Sequence, residues 1–379
     1  MVGLLCGAVL FGCTKSDNDN TFVPGQEVKN PNPPSTTTPT DGPFVHPGIL
    51  NTGASLDFIA SDFSPVRTAA FQKVTDYIAS HAYPTSFYET VAVGSNGHTS
   101  PSKSQIRSDA ELAYAYALKF ARTADITDAE KCIGILNGWA STFKTYTTID
   151  ATDNANQPSL EAAWTTPTFV AAAEIMRYYK PKGKSANWSE EDIQQFSNYL
   201  SRVKPYLDKM PDYHNNWNVS GGYALMTIGI FQDNTSIYGQ GVGVLTKVAT
   251  ESDNHTILED GTMPEACDRN DCVHYQYSLT GLTYGAELAA INGDNSLYKT
   301  FRVSLGYDFM RKAYDRTAGC SVCSASSPMF PGLEVALQHF GTSLASVKSL
   351  KDQMSSPMYV PSDNTFLGFT TYTHYNVTK

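Results

Sequence analysis

The spacing of apolar residues constrains this chain more than any other feature of its sequence. From about residue 50 to the end, apolar residues recur at intervals of three and four, and long alternating runs are rare. Such intervals place side chains on one face of an α-helix, whereas a half-buried strand needs alternation. Clusters of Pro, Gly, Asn and Asp separate the periodic stretches, as in NGDN at 292–295. The pattern therefore predicts a helical body.

The periodic stretches predict about ten helices joined by short links. The clearest covers 108–121, with Ser108 as N-cap and Glu111 completing a capping box. Further helices are expected at 128–143, 162–179, 190–210, 219–231, 239–251, 277–292, 296–314 and 333–340. No repeat of fixed length appears, which disfavours a solenoid. We predict one large all-α domain over residues 46–379, built of paired helical hairpins that form either a bundle or a closed α/α toroid.

The first 45 residues differ in composition from the rest of the chain. Residues 2–12 form an apolar run that is too short to span a bilayer but suits the core of a secretory signal. The residues LFGC at 10–13 resemble a bacterial lipobox, and the acidic stretch after them resembles the export signal of Bacteroidetes surface lipoproteins. We expect a lipoprotein signal peptide at 1–13, lipidated at Cys13, and a disordered Pro- and Thr-rich tether at 14–45. An ordinary cleaved signal with a chance cysteine is the alternative.

Charge and composition exclude some partners. Lys and Arg number 27 against 37 Asp and Glu, a net charge of −10, which argues against a general nucleic-acid binder that needs a basic surface. Only 17% of residues are charged, whereas 22 Tyr and 18 Phe are present. A surface rich in Tyr and Asn suits carbohydrate, whose rings stack on aromatic side chains and whose hydroxyls bond to amides.

Two segments break the helical pattern. The first, DYHNNWN at 212–218, opens directly onto an apolar helix, at a place where amides and backbone N–H groups favour anions. Taken alone, it is better explained by an N-cap followed by a tryptophan anchor. The second combines Arg269, His274, Tyr275 and Tyr277 within nine residues. If a helix begins near Asp271, Tyr277 shares the face of His274 and Tyr275 points elsewhere. Such a group suits acid–base chemistry, although a solvated helix start with core tyrosines is the simpler alternative.

Several segments, in order, resemble the alginate lyase superfamily of polysaccharide lyases. They are HPGILNT (46–52), ILNGWASTFKTY (135–146), AAEIMR (172–177), NNWNVSGGYALMTIGIFQDN (215–234), DGTMPEACDRNDCVHYQYSL (260–279) and PMFPGLEVALQHF (328–340). The resemblance implies an (α/α) toroid that cleaves a uronate-containing polysaccharide, such as alginate or glucuronan, by β-elimination. The products would carry 4,5-unsaturated uronate ends, and no metal or other cofactor would be required. The particular uronate, and endo or exo action, stay open.

The chemistry of β-elimination assigns roles to the matching residues. The charge of the uronate carboxylate must be quenched before the neighbouring C5 proton can leave, and amides or a guanidinium can do this. The resemblance makes Asn215 and Asn216 the neutralising groups, with Arg269 assisting. A base must take the proton and an acid must protonate the leaving oxygen. His274 or a tyrosine is expected as base, and Tyr275 or Tyr277 as acid.

Further residues are expected to contact the substrate. Some members of the superfamily carry His directly after the two asparagines, where this chain has Trp217. We expect His214 to take its place, or the amides to act alone. Trp217 and Trp164 are candidate sugar platforms, with roles in the core as the alternative, and His98 lies in a loop that could form part of the subsite wall.

Four cysteines form two close pairs, Cys267 with Cys272 and Cys320 with Cys323. Such pairs can bind structural zinc, but in an exported protein disulfides are favoured, with three connectivities possible. A crosslink here would stiffen the segment that carries Arg269. Cys132 is expected to be a buried small hydrophobe.

The sequence thus predicts an exported, monomeric lyase, held by its lipid on the outer membrane, that acts on an anionic polysaccharide. A surface glycan-binding lipoprotein without activity is the second hypothesis. A glycoside hydrolase on the same toroid is the third, with Glu265 and Asp271 as candidate carboxylates.

Overall fold

A computed structural model of the protein describes residues 42–251, 256–320, 323–353 and 365–376. The signal peptide, the lipidation site Cys13 and most of the tether lie outside these residues, so the expected domain organisation stays a prediction. In the described ranges, helices dominate and two short parallel strands, β1 (Thr90–Val93) and β2 (Thr145–Thr148), form a small sheet. None of the helices in this part of the chain is long and apolar enough to cross a membrane.

The helices follow one another with short links. They are α1 Gly53–Ser61, α2 Pro65–Ser80, α3 Pro101–Thr123, α4 Ile126–Thr142, α5 Gln157–Tyr178, α6 Glu190–Asp208, α7 Asn216–Phe231, α8 Thr235–Thr250, α9 Pro264–Arg269, α10 His274–Ile291, α11 Ser296–Thr300, α12 Val303–Tyr314, α13 Gly332–Phe340, α14 Ala345–Gln353 and α15 Thr370–Thr373.

One predicted boundary was wrong by two turns. Helix α3 begins at Pro101, and the Ser100 hydroxyl accepts the backbone N–H of Lys103 at 3.1 Å as its N-cap. Ser108 lies inside the helix, and Glu111 is buried rather than placed in a capping box. Proline fits the first helical turn because its missing N–H is not needed there. The pair Ser100-Pro101 therefore indicates the start of this helix better than the capping box expected at Ser108.

The helices form two layers. Helices α3, α5, α7, α10 and α13 pack on one another in this order, and α4, α6, α8, α12 and α14 lie against them. The inner helices α5, α7 and α10 are buried on nearly all sides; in α7, Trp217 alone is partly exposed. The outer helix α6 buries a single stripe with Ile193, Phe196 and Leu200. Helices that are apolar all round belong to an inner layer, and striped ones cover it. The predicted all-α toroid of paired hairpins is confirmed.

The two ends of the described chain meet. Arg67 of α2 donates to the backbone carbonyls of Thr371 (2.9 Å), Tyr372 and Tyr375, and is itself buried. His374 lies 3.1 Å from the carbonyl oxygen of Leu50 through Nε2. Helix α15 also packs on α1, α2 and α13. These contacts connect the last inner helix back to the first helices.

Candidate active site

Tyr277 lies in the first turn of α10, and its side chain is almost buried. The ring of Trp164, from α5, stacks on it with centroids 5.8 Å apart and planes 27° apart. Phe330 contacts it edge-on at 4.7 Å, and the imidazole of His274 lies 6.1 Å away, also edge-on. Trp164 donates through Nε1 to Ser220 of α7 at 3.2 Å. The N-terminal parts of α5, α7 and α10 therefore meet around this phenol.

A buried carboxylate organises the polar groups beside Tyr277. Glu265 of α9 accepts hydrogen bonds from Asn216 Nδ2 at 2.5 Å and from Ser278 Oγ at 2.7 Å. The Nε atom of Arg269 lies 3.3 Å from the same oxygen that accepts from Asn216. We refer to Glu265, Asn216, Arg269 and Ser278 as the Glu265 cluster. It brings an amide and a guanidinium, predicted as neutralising groups, to the residue next to Tyr277.

The two neighbouring asparagines have different positions. Asn215 is the N-cap of α7, and its side-chain oxygen accepts the backbone N–H of Trp217 at 3.0 Å. Asn216 alone reaches Glu265. A capping oxygen is engaged with the backbone, so the structure gives Asn215 a local role. Trp217 contacts the exposed ring of Tyr213 edge-on at 5.4 Å.

His214 does not join the Glu265 cluster. Its backbone is in the left-handed region with φ 52°. Its ring nitrogens lie 3.2 Å from carboxylate oxygens of Asp212 and of Glu251, which follows α8. The expected replacement of a superfamily histidine by His214 therefore gains no support from the contacts of its imidazole.

His274 forms a pair with a carboxylate. Its Nδ1 atom lies 2.6 Å from Asp271, which also accepts the backbone N–H groups of Val273 and His274. Partial burial opposes the charged form of Asp271, but these N–H groups outweigh it and lower the pKa of the carboxyl. A charged Asp271 orients the imidazole, which is a suitable arrangement for a proton carrier.

Tyr275 faces the opposite way from Tyr277. It is fully buried, packs edge-on against Phe309, and its hydroxyl lies 3.3 Å from the Cys323 sulfur. Burial raises the pKa of Tyr275 well above its usual range. The structure thus separates it from the other expected catalytic residues.

Two disulfides frame the Glu265 cluster. Cys267 bonds to Cys320, and Cys272 bonds to Cys323. The expected disulfides are confirmed, and their connectivity is resolved; sulfurs bonded in pairs do not form the alternative zinc site. Both bonds tie the segment around Arg269 to the chain after α12. Cys132 is buried and free, as expected.

Sequence reasoning missed Arg107 of α3. Its guanidinium carbon lies 4.8 Å from the centre of the Trp164 ring, on which it forms a cation–π contact. Its Nε and Nη2 atoms donate to the two oxygens of the buried Glu161 at 2.6 and 2.7 Å. A single arginine in an amphipathic helix carries no sequence signal, because its neighbours across the helix layer are distant in sequence.

His98 lies in a different group of polar residues. Its Nδ1 atom is 3.1 Å from Asp153, whose carboxylate also accepts the backbone N–H of Ser95 at 2.8 Å. That N–H lowers the pKa of Asp153 to about 2. One ligand atom from each of His98, Asp150 and Asp153 lies within 4.8 Å of the others, so this group could hold a cation. His98 contacts Asp153 rather than the Glu265 cluster.

Comparisons with known proteins identify the family and the fold. The family model of alginate lyases matches residues 72–314, more than half of the chain. No curated protein sequence matches it. An alginate lyase from Bacteroides ovatus is similar in structure, with a TM-score of 0.64 at 12% identity, covering 86% of this chain and 99% of that one. Alginate lyase A1-III from a Sphingomonas species gives 0.62 at 18% identity, covering 85% and 94%. A variant of A1-III complexed with tetrasaccharide gives 0.56 at 17% identity, covering 86% and 96%.

Proposed function

Because this chain belongs to the alginate lyase family and is a polysaccharide lyase, we propose that it cleaves a uronic-acid polysaccharide, such as alginate or glucuronan, by β-elimination at Tyr277. The observation that carries the proposal is the Glu265 cluster. It holds the Asn216 amide and the Arg269 guanidinium beside the residue that follows Tyr277. Removal of a proton α to a carboxylate needs hydrogen-bond donors for the developing charge, and these two side chains can supply them.

The proposed reaction uses three of these side chains. Asn216 and Arg269 donate to the substrate carboxylate and stabilise the negative charge that grows on it as the C5 proton leaves. The C5–H bond breaks, the C4–C5 double bond forms, and the C4–O bond to the leaving sugar breaks. Tyr277 supplies the proton that the leaving oxygen takes. The C5 proton passes either to Tyr277 or to His274, which Asp271 orients.

The substrate is proposed to be an anionic polysaccharide that contacts aromatic and cationic groups near Tyr277. Trp164 and Trp217 are partly exposed and provide faces on which sugar rings stack. Alginate lyase A1-III, which shares this fold, was crystallised with a tetrasaccharide. We further propose that the protein is a monomer, exported and anchored through Cys13, and that the reaction needs no cofactor.

The hydrolase hypothesis is less well supported by the geometry. A hydrolase needs two carboxyl groups on either side of the scissile bond, one of them able to donate a proton. Glu265 accepts two hydrogen bonds and pairs with Arg269, and Asp271 is held by His274 and two backbone N–H groups. Both carboxyls therefore orient neighbouring groups.

The test is a panel of polyuronates, followed by the ultraviolet absorbance of unsaturated ends and by product mass. We expect at least one substrate to yield unsaturated ends, and Tyr277→Phe and Asn216→Ala to lose at least about 100-fold of that rate, as removed acid–base or oxyanion groups typically do. Tyr275→Phe is the matched control on the same helix and should keep wild-type activity. His274→Ala distinguishes the two possible bases.

Three other results would contradict the proposal. A saturated reducing-end product would select the hydrolase. Glycan binding without any product would select the binding lipoprotein. Full activity of Tyr277→Phe would remove this tyrosine from the reaction.

A further inference from the structure

Glu265 is an unexpected residue in a site for an anionic polymer. Its side chain is 9% exposed, so its charge is poorly screened by solvent. Two like charges a few ångströms apart repel each other strongly in such surroundings. A carboxylate here therefore opposes the binding of the substrate carboxylate, and its presence calls for a role in the reaction itself.

The contacts of Glu265 suggest that role. One oxygen accepts from Asn216 at 2.5 Å and lies 3.3 Å from Arg269 Nε, while the other accepts from Ser278 at 2.7 Å. Asn216 begins α7, Arg269 ends α9, and Ser278 lies in the second turn of α10. One carboxylate thus connects the three helices that carry the proposed neutralising groups and Tyr277.

A carboxylate also decides how the Asn216 amide is turned. An ionised carboxyl group only accepts hydrogen bonds, so Asn216 must present its NH₂ group and not its oxygen to Glu265. The NH₂ group of Asn216 is then held in one position. A neutral glutamine at 265 could accept from the Asn216 NH₂ group or donate to its oxygen, so the orientation of the Asn216 amide would be lost.

Arg269 is oriented in the same way. Glu265 contacts it through Nε, and the guanidinium group is planar, so this contact sets the direction of the plane. The side chain is 41% exposed and long, and without a partner it would sample many rotamers. Donors that are already in place when charge develops need no reorganisation during the reaction.

We propose that Glu265 is a positioning residue of the elimination, which holds the Asn216 amide and the Arg269 guanidinium in the arrangement that stabilises the transition state. The proposal rests on the proposed function. Kinetics distinguish a positioning role of Glu265 from a purely structural one. Loss of donors that act on the developing charge lowers kcat, whereas loss of packing lowers the fraction of folded protein.

The primary test is Glu265→Gln, which keeps the shape of the side chain and removes its charge. We expect kcat on the active polyuronate to fall about 100-fold, the usual effect of one misplaced oxyanion donor. KM should stay the same or fall, because a negative charge near the anionic substrate has gone. Glu265→Asp keeps the charge and should recover part of the lost kcat.

A matched control is Glu174, which lies near the C-terminal end of α5, on the same helix as Trp164. Glu174 is also buried and accepts from the backbone N–H of Gly48 at 3.0 Å, with His46 at 2.9 Å. It lies ten residues from Trp164 along the helix, or about 15 Å. Glu174→Gln should lower the melting temperature while kcat per folded molecule stays at the wild-type value.

A double-mutant cycle links the effect to its partner. If Glu265 acts partly through Asn216, the variant Glu265→Gln/Asn216→Ala should lose clearly less kcat than the product of the two single losses, the remainder of the Glu265 effect passing through Arg269. Additive losses, or a wild-type kcat in Glu265→Gln, would overturn the inference. If Glu265→Gln does not fold, Glu265→Asp carries the test, and a wild-type kcat in that variant overturns it. A wild-type protein that forms no unsaturated product would instead overturn the proposed function.

Discussion

At the scale of single residues, Tyr275 and Tyr277 show how two identical side chains acquire different roles. Two positions along a helix correspond to a rotation of about 200°, so the two rings point to opposite sides of α10. Tyr275 packs beside the Cys272–Cys323 disulfide. Tyr277 lies between Trp164 and Phe330, with His274 on its own helix face. The geometry of α10 therefore places Tyr277, and not Tyr275, at the candidate site.

Arg107 provides a prediction at the same scale. The guanidinium group of Arg107 donates two hydrogen bonds to Glu161 and lies over the ring of Trp164. That ring in turn stacks on Tyr277. Lysine keeps the charge but cannot reproduce the paired bonds or the stacking. We expect Arg107→Lys to raise KM about tenfold, the equivalent of one weakened charged hydrogen bond, with a smaller effect on kcat. Initial rates over a range of substrate concentrations measure this, and an unchanged KM would exclude Arg107 from substrate binding.

At the scale of elements, α9 depends on its surroundings. It has six residues, and Met263 at its N-cap position has no side-chain oxygen to offer. A helix this short is unstable alone. It carries Glu265 and Arg269, and the two disulfides attach it and its link to α10 to the chain after α12. The position of the neutralising groups therefore depends on crosslinks more than on helix propensity.

Removal of the first disulfide should impair catalysis in a protein that still folds. The bond joins residues 53 positions apart, and a loop of this size is worth about 4 kcal/mol at most in the chain-entropy model. We expect Cys267→Ser/Cys320→Ser to fold, with kcat reduced about tenfold or more because Glu265 and Arg269 move. Amide hydrogen exchange in α9 should accelerate. Cys132→Ala, which removes the buried free thiol, is the control, and unchanged exchange in the double variant would contradict the prediction.

At the scale of the whole molecule, the local charge around the candidate site differs from the net charge of the chain. The chain has a net charge of −10, yet Arg107 lies over the Trp164 ring that stacks on Tyr277, and Arg269 pairs with Glu265, which bonds to the neighbouring Ser278. Each is paired with a carboxylate, Glu161 or Glu265. An acidic protein that acts on an anionic polymer must gather cations at its site, and these pairs hold the guanidinium groups in defined orientations.

The helical core itself should respond to pH through Glu111. Burial raises the pKa of this carboxyl from an ordinary value of 4.5 to about 8. The folded state therefore holds a proton that the unfolded state releases, and stability falls as pH rises from 4.5 towards 8. The contribution of Glu111 is about 1 kcal/mol per pH unit. We expect Glu111→Gln to be more stable than the wild type at pH 8 and to lose this advantage near pH 4.5.

Denaturant unfolding of both proteins at several pH values measures this difference. The exposed Glu130→Gln is the control, because it changes the same net charge at the surface. A difference between Glu111→Gln and wild type that does not change with pH would contradict the prediction.

Local sequence patterns were sufficient for the features that depend on neighbouring residues. Intervals of three and four predicted most of the long helices, although α1 and α2 were missed and the helix expected at 296–314 is divided into α11 and α12. The spacing of His274 and Tyr277 placed them on one face. The start of α3 was placed too late, because the Ser108 capping box has the same pattern as a true N-terminus and Ser100-Pro101 lies before the apolar stretch. Close cysteine pairs predicted disulfides but not their connectivity.

By itself, the sequence determined the helical class, the family resemblance and the segments that supply the site, because each depends on residues close together along the chain. Tertiary structure alone decided that Asn216 and not Asn215 meets Glu265, that His214 turns to Asp212 and Glu251, and that Arg107 lies over Trp164. These contacts join helices separated by dozens of residues. Their formation depends on how whole helices pack in two layers, and no local interval in the sequence records that packing.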